Sequence, residues 1–302
     1  MSTQSGTIRV GISGWRYEPW RGVFYPSDLP QRRELEFASR ALPTIELNGS
    51  FYSLQRPTSY ASWYADTPDG FVFSVKAPKF ITHVLRLRDA DTPLANFFAS
   101  GLANLREKLG PILWQLPPFL RYDEALLRHF LEALPRDTDE ASSLACTHDD
   151  KVAGRAEVDF GPKRPLRHAM EVRNDSFVDP SFVAVLREHG VALVIADTGG
   201  KWPQYEDLTA DFVYIRLHGE EKLYVSGYAD KTIAHWSSRI RLWSEGSEPS
   251  DVRKIVTATA PASAARDVFC YFDNTAKEQA PRNAQDMMRK LQASSERPRT
   301  ER

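Results

Sequence analysis

LRHAMEVRNDSF, residues 166–177, opens as an apolar run and closes in charge. In an extended chain successive side chains alternate between faces, so Glu171 and Arg173 share one face and Val172 takes the other. Packing alone gives a poor account of a strand that ends by placing a carboxylate beside a guanidinium, because charged groups are almost never buried without partners. The same habit recurs on both sides of this stretch.

Working outward, apolar strand-like runs fall at 8–12, 44–47, 71–75, 111–116, 191–195, 212–217 and 268–272. Helical signals separate most of them. Thr92-Pro93, Asp123 and Asp179-Pro180 each precede residues at helical spacing, and Gly110 and Gly190 stand where two such runs stop. The run after Thr92-Pro93 is expected to stay helical to Leu109. A helix is also expected after Pro30, a short one from Thr58, one capped by Asp230, and a last one over 281–291. Apolar strands alternating with helices indicate a parallel sheet covered on both faces. Eight such units in about 250–300 residues predict an α/β fold, a closed (β/α)8 barrel of the TIM type, as one domain over 8–292. The alternative is an open doubly wound sheet, but no G-x-G-x-x-G follows the first strand. Residues 136–165 and 246–265 read as surface excursions, the first with a short helix near its centre. Residues 1–7 and 293–302 read as disordered ends.

The 302 residues are 42% apolar and 26% charged, an ordinary globular mixture. Lys+Arg is 39 and Asp+Glu is 40, so no global field draws the chain to nucleic acid or an anionic membrane. Cys146 and Cys270 show neither metal spacing nor a disulfide framework. The N-terminus lacks the apolar core of a signal peptide, and no apolar run approaches membrane-spanning length. A cytoplasmic location is expected, with no membrane partner and no cofactor. No feature speaks to oligomeric state.

In such a barrel the carboxyl ends of the strands meet at one mouth. Those ends supply Glu46 with Asn48, Lys76, Gln115, Glu171 with Arg173, Asp197, Arg216 with His218, and Asp273 with Asn274. Asp273 shares a face with Tyr271, opposite Cys270 and Phe272, and on that parity points outward. A structural ion network would be the bland explanation. Hydrophobic residues serve that purpose as well, since desolvation offsets the Coulomb gain of buried pairs. A working site is the better reading. Glu171, Glu46, Asp197 and His218 are its candidates for acid/base catalysis. Lys76, Arg173 and Arg216 would clamp an anionic small molecule, for which Arg offers a planar fork. Asn48, Gln115, Asn274, Trp15 and Tyr52 are further substrate contacts. Trp20, Phe51, Trp202, Tyr205, Tyr224 and Tyr228 could add stacking surfaces near the mouth, and Lys79 and His83 form a second line. A second reading makes Glu46, Glu171, Asp197 and His218 ligands of a divalent metal in a phosphodiesterase acting on nucleic acid, by analogy with endonuclease IV barrels. The single convincing histidine and the adjacent cations speak against it. A third reading is a non-catalytic ligand-binding barrel.

With these strand ends in view, the chain resembles the YecE-like family, also catalogued as domain of unknown function 72. The matching pieces run in order along the chain: RVGISGW (9–15), IELNGSFY (45–52), FVFSVKAPKFITH (71–83), GPILWQLPP (110–118), LRHAMEVRNDSF (166–177), VIADT (194–198), YIRLHG (214–219) and YFDNT (271–275). The resemblance implies a TIM-type barrel with its site at these strand ends. It brings no reaction with it.

Overall fold

A computed structural model describes residues 5–257, 265–276 and 278–295. Its centre is a closed barrel of parallel strands in sequence order: β1 (Ile8–Ser13), β2 (Thr44–Leu47), β3 (Val72–Lys76), β4 (Leu109–Gln115), β5 (His168–Glu171), β6 (Ala192–Asp197), β7 (Phe212–Leu217) and β8 (Asp267–Phe272), with β8 pairing back onto β1. Helices flank it: α1 (Glu34–Ala41), α2 (Gly49–Tyr52), α3 (Pro57–Asp66), α4 (Asp91–Ala99), α5 (Glu124–Glu132), α6 (Thr138–Ala145), α7 (Pro180–His189), α8 (Asp230–Ser244) and α9 (Gln279–Ser295). Among the described residues no helix is long and apolar enough to cross a membrane.

Alternation along each strand divides the core in two. The outward set, including Ile12, Ile45, Trp114, Met170, Ile195, Leu217 and Phe272, packs under the helices as one large cluster. A separate small cluster holds Leu113, Ala169, Val194, Phe212, Tyr214, Phe269 and Tyr271, the inward set. Bulky branched residues usually fill such an interior. Here Tyr214 and Tyr271 stack at 5.2 Å in its middle, and their hydroxyls meet those of Ser74 and Thr44 at 2.6 and 2.8 Å. The barrel is therefore polar from its middle upward, and polar groups above that level have partners waiting.

Several local expectations hold. Asp123 and Asp179 cap α5 and α7 through their side chains, and Gly190 ends α7 in the left-handed conformation. The helix expected to run to Leu109 does not: α4 ends at Ala99, and a 3-10 segment, Leu102–Lys108, follows. Gly101 sets the break. Its φ is +122°, and a Cβ there would sit 2.6 Å from the Pro57 Cα. Helical spacing of apolar residues continued past a point where tertiary packing turned the backbone. Thr92 and Asp230 lie inside their helices and cap neither, the cap positions being Ala90 and Ala229. Arg56 takes the cap position expected of Thr58.

The excursion 136–165 carries α6, capped by Asp137, which accepts from the amides of Asp139 and Glu140. Of 246–265, residues 258–264 lie outside the described residues; Asp207 anchors the rest by accepting from the amides of Ile255 and Val256. Residues 5–7 were expected to be disordered, yet the Gly6 and Thr7 amides donate to Ser244 O and Asp267 Oδ1, both at 2.8 Å. Residues 293–295 extend α9, while 1–4 and 296–302 lie outside the described residues.

Candidate functional site

Carboxylates at the carboxyl ends of β2 and β5, and one just past β8, converge on Arg216 of β7. Its Nε donates to Glu46 Oε2 at 3.0 Å, and its Nη2 donates to Glu46 Oε1 at 2.9 Å and Asp273 Oδ2 at 3.0 Å. Its Nη1 donates to Glu171 Oε2 at 2.6 Å. The guanidinium is 1% exposed. Burial disfavours its charge, but Asp273, Glu46 and Glu171 outweigh that and hold it charged well beyond the ordinary arginine range. Arg216 thus knits three carboxylates together and has no edge left for a ligand. The expectation that it clamps a substrate anion is corrected on this geometry.

Each carboxylate is held from other sides too. Glu46 Oε1 accepts from Ser13 Oγ at 2.9 Å, and Oε2 from Tyr214 at 2.7 Å. Glu171 Oε1 accepts from Arg173 Nε at 2.7 Å. Burial would raise the Glu171 pKa, but Arg173 and Arg216 hold it well below the usual carboxylate range. A carboxylate so fixed is a weak base and cannot serve as an acid near neutral pH. Asp273 is pulled below its usual range in the same way, with burial opposed chiefly by Arg216 and then by His218. His218 is buried, with Nδ1 3.0 Å from Asp273 Oδ2 and Nε2 3.9 Å from Glu171 Oε2. The ring lies under Tyr224, edge to face at 5.4 Å.

Two expectations about strand faces are reversed. Asp273 points inward to Arg216, because Phe269 and Tyr271 before it belong to the inner cluster. The outward parity assumed for it rested on an apolar barrel interior, and this interior is aromatic and polar. Asp197 points outward with Leu193 and Ile195, where Tyr228 and Trp236 hydrogen-bond it and burial raises its pKa. Ala196 takes the inward position. Asp197 is therefore separated from the mouth. The metal reading loses one of its four ligands this way, and a guanidinium occupies the centre that a metal would need. Among the described residues no group of three or more His, Cys, Asp or Glu side chains is arranged to hold a metal ion.

Other candidates divide between the opening and the packing. Trp15 is buried edge-on against Trp63, and Trp20 lies in the core. Asn274 fastens a loop to α9, with Nδ2 donating to Ser226 O at 2.9 Å and Asn283 Oδ1 at 3.1 Å. Gln115 is buried and donates to Leu116 O. Tyr228 is buried, its hydroxyl accepting from the Gly219 amide. Gln115 shares the inward parity of Leu113 but is spent on its backbone contact, and the others build the mouth without facing into it. Asn48 is half-buried, and its Oδ1 is buried with no hydrogen-bond partner.

At the opening stand Lys76, Arg173, Phe51, Tyr52, His83, Trp202 and Tyr224. The Arg173 guanidinium lies 3.8 Å over the Trp202 ring, and its Nη2 is 3.4 Å from the Tyr224 hydroxyl. Tyr224 has φ +64°, a conformation rare outside glycine. The Lys76 amine sits 4.2 Å over the Phe51 ring. Burial and the nearby Arg216 push its pKa down to about 8, against the pull of Glu46, Asp273 and Glu171. His83 meets the edge of the same ring at 5.2 Å, and burial, Lys76 and Arg173 push it down to about 4. Beside Phe51 a cleft of about 720 Å³ opens between Tyr52, Lys79, Phe80, Asn96, Lys151 and Arg155. Tyr52 is 70% exposed there, with Lys79 5.5 Å over its ring.

Comparison with known proteins agrees with this architecture. The profile of a family described as "Protein of unknown function DUF72" matches residues 9–302. The UPF0759 protein YecE of Escherichia coli O157:H7 is 25% identical over 246 residues, covering 80% of this chain and 84% of that relative. The UPF0759 protein YunF of Bacillus subtilis strain 168 is 29% identical over 117 residues, covering 37% of this chain and 40% of the relative. A crystal structure of a DUF72 family protein from Thermotoga maritima MSB8 superposes with a TM-score of 0.70 at 23% identity, covering 95% of this chain and 99% of that one. One from Enterococcus faecalis V583 gives 0.67 at 20% identity, with 95% and 96% covered. At these identities the structures speak to the fold.

Proposed function

The chain belongs to the DUF72 family, and from that premise we propose that it is an enzyme of the hydrolase or lyase type, acting on a small, polar, anionic molecule at the carboxyl-end mouth of a TIM-type barrel. One contrast carries this reading. Below the opening, the oxygens of Glu46 and Glu171 are matched by guanidinium groups. At the opening, the Lys76 amine has no hydrogen bond or ion pair among the described residues. A cluster built only for stability has no use for such a group, and buried ion networks are a costly way to gain stability at all. A perturbed titratable group with specific charge neighbours, beside a cleft, is a candidate functional group.

In this reading Lys76 and the outer edge of Arg173 receive the anionic group. Glu171 and Glu46 act as positioning residues that fix Arg173 and Arg216. Lys76 is the group able to exchange a proton near neutral pH, because its pKa has come down to about 8. Calorimetric titration of the full chain with phosphorylated and carboxylate-bearing sugars, against their uncharged parents, tests the proposal. The charged compounds are expected to bind, and Lys76→Met and Arg173→Met each to weaken them roughly tenfold or more, a difference of about 1.4 kcal/mol. Equal binding of charged and uncharged compounds, unchanged in both variants, would refute it. Tight binding without turnover would favour a ligand-binding barrel.

A further inference from the structure

We infer that Lys76 is a covalent nucleophile, and that the substrate class of the mouth is an aldehyde or ketone bearing a carboxylate or phosphate, taken up as an imine. The inference rests on the reading above and adds to it the reacting bond.

Three observations support it. First, the amine is held without being bonded. The Phe51 ring positions Nζ by its face at 4.2 Å, while the oxygens of Glu46 and Glu171 and the Oδ2 of Asp273 are already engaged. Glu46 has Ser13, Tyr214 and Arg216, Glu171 has Arg173 and Arg216, and Asp273 Oδ2 has Arg216 and His218. A lysine kept for a structural salt bridge would be seated on one of them. Second, a proton acceptor stands on the same ring. His83 meets Phe51 edge-on at 5.2 Å, with Nδ1 turned to Thr82 Oγ1 at 2.8 Å. Burial and the neighbouring cations Lys76, Arg173 and Lys79 keep this imidazole neutral at pH 7. Third, a cleft of about 720 Å³ adjoins the mouth through Phe51 and Tyr52, although neither Lys76 nor His83 lines it, and it carries Lys79, Lys151 and Arg155.

The groups around the amine are Glu46, Glu171 and Asp273, with Arg216, Arg173 and His83. The two guanidiniums leave one of the three carboxylate charges uncompensated. That residual charge gives a positively charged iminium a nearby counter-charge without a direct ion pair that would tie up the free amine, while burial and Arg216 favour the neutral amine that attacks. The step balances within the substrate and the protein. The Nζ lone pair forms the C–N bond as the carbonyl π pair moves to oxygen. The ammonium proton is passed to that oxygen through solvent or through the neutral His83 imidazole, which contacts the same Phe51 ring. The carbinolamine then expels water, leaving C=N. No oxidant or reductant enters.

Reductive trapping tests this directly. The full chain at about pH 7.5 is incubated with sodium cyanoborohydride and either glyoxylate or glycolaldehyde, then digested and mapped for carboxymethyl-lysine or hydroxyethyl-lysine. Lys76 is expected to be modified roughly tenfold or more faster than Lys79 and Lys151, given the neutral fraction that a lowered pKa confers. Glyoxylate should outpace glycolaldehyde at Lys76, and His83→Gln should slow both. Modification spread evenly over the lysines of the wild-type chain would overturn the imine while leaving anion binding to stand on its calorimetry. Selective labelling of Lys76 by both aldehydes at equal rates would uphold the imine and count against the anionic substrate. Because the wild-type map carries the result, it does not depend on a variant's folding.

Discussion

Arg216 is the residue on which the mouth depends. Three carboxylates, from β2, β5 and the residue after β8, converge on its guanidinium, and it has no exposed edge. Replacing it by Met removes the shared counter-charge and leaves the buried Glu46, Glu171 and Asp273 facing one another. Breaking a buried pair from one side costs about 3–5 kcal/mol, and Arg216→Met is expected to lower the urea unfolding free energy by that amount. Arg216→Lys should recover only part, since an ammonium cannot fork between carboxylates. A loss below about 1 kcal/mol for the Met variant would mean that the carboxylates find other partners. At this scale much of the site was legible. Strand parity placed Glu171 with Arg173 and Arg216 with His218, and charge neutrality required partners for them. Asp197 and Asp273 were not legible, because each sits at a strand end where either face can take a charge. Asp273 follows Tyr271 into a polar interior, while Asp197 follows Leu193 and Ile195 outward to Tyr228 and Trp236, and nothing local to either aspartate signals that. His83 stood in the second line because its relevance comes from Phe51, a ring on a different element, α2.

At the scale of elements, the contact between β5 and the end of α5 shows how packing sets a protonation state. His168 on β5 is buried, with Nδ1 accepting from Trp114 Nε1 at 3.1 Å and Nε2 facing Pro135 O at 2.8 Å. An indole N–H only donates and a carbonyl only accepts, so the imidazole must be neutral with its proton on Nε2. Burial pushes its pKa down to about 4. The unfolded value is about 6.5, so the denatured chain takes up a proton where the native chain does not. The contribution is complete above about pH 6.5 and is lost as pH falls toward about 4, which amounts to about 2 kcal/mol between about pH 7 and 5. Urea unfolding at those two values should show a pH dependence smaller by that amount in His168→Asn than in the wild type. Identical slopes would place the proton elsewhere. The sequence showed β5 and the helix cap at Asp123, but the tautomer needed three elements brought together. The break at Gly101 has a similar origin, since apolar spacing there reads as one helix and only the approach of Pro57 explains the turn.

For the molecule as a whole, charge is balanced along the chain and again at the mouth. The formal net charge is −1. Around Arg216 three carboxylates face two guanidiniums, and Lys76 supplies the third cation when it is protonated. The number of strands and their order in the barrel were legible because each apolar run ends in polar residues before a helical period begins. The chemistry was less so, since the group that stands out is defined by the partners it lacks. The most direct test is competitive trace acetylation of the native chain over about pH 6 to 11, read lysine by lysine. Lys76 is expected to reach half of its limiting reactivity near pH 8, well before ordinary exposed lysines at about 10.4. A Lys76 that titrates with those lysines, or that does not react until the chain unfolds, would contradict a free amine at the mouth of the barrel.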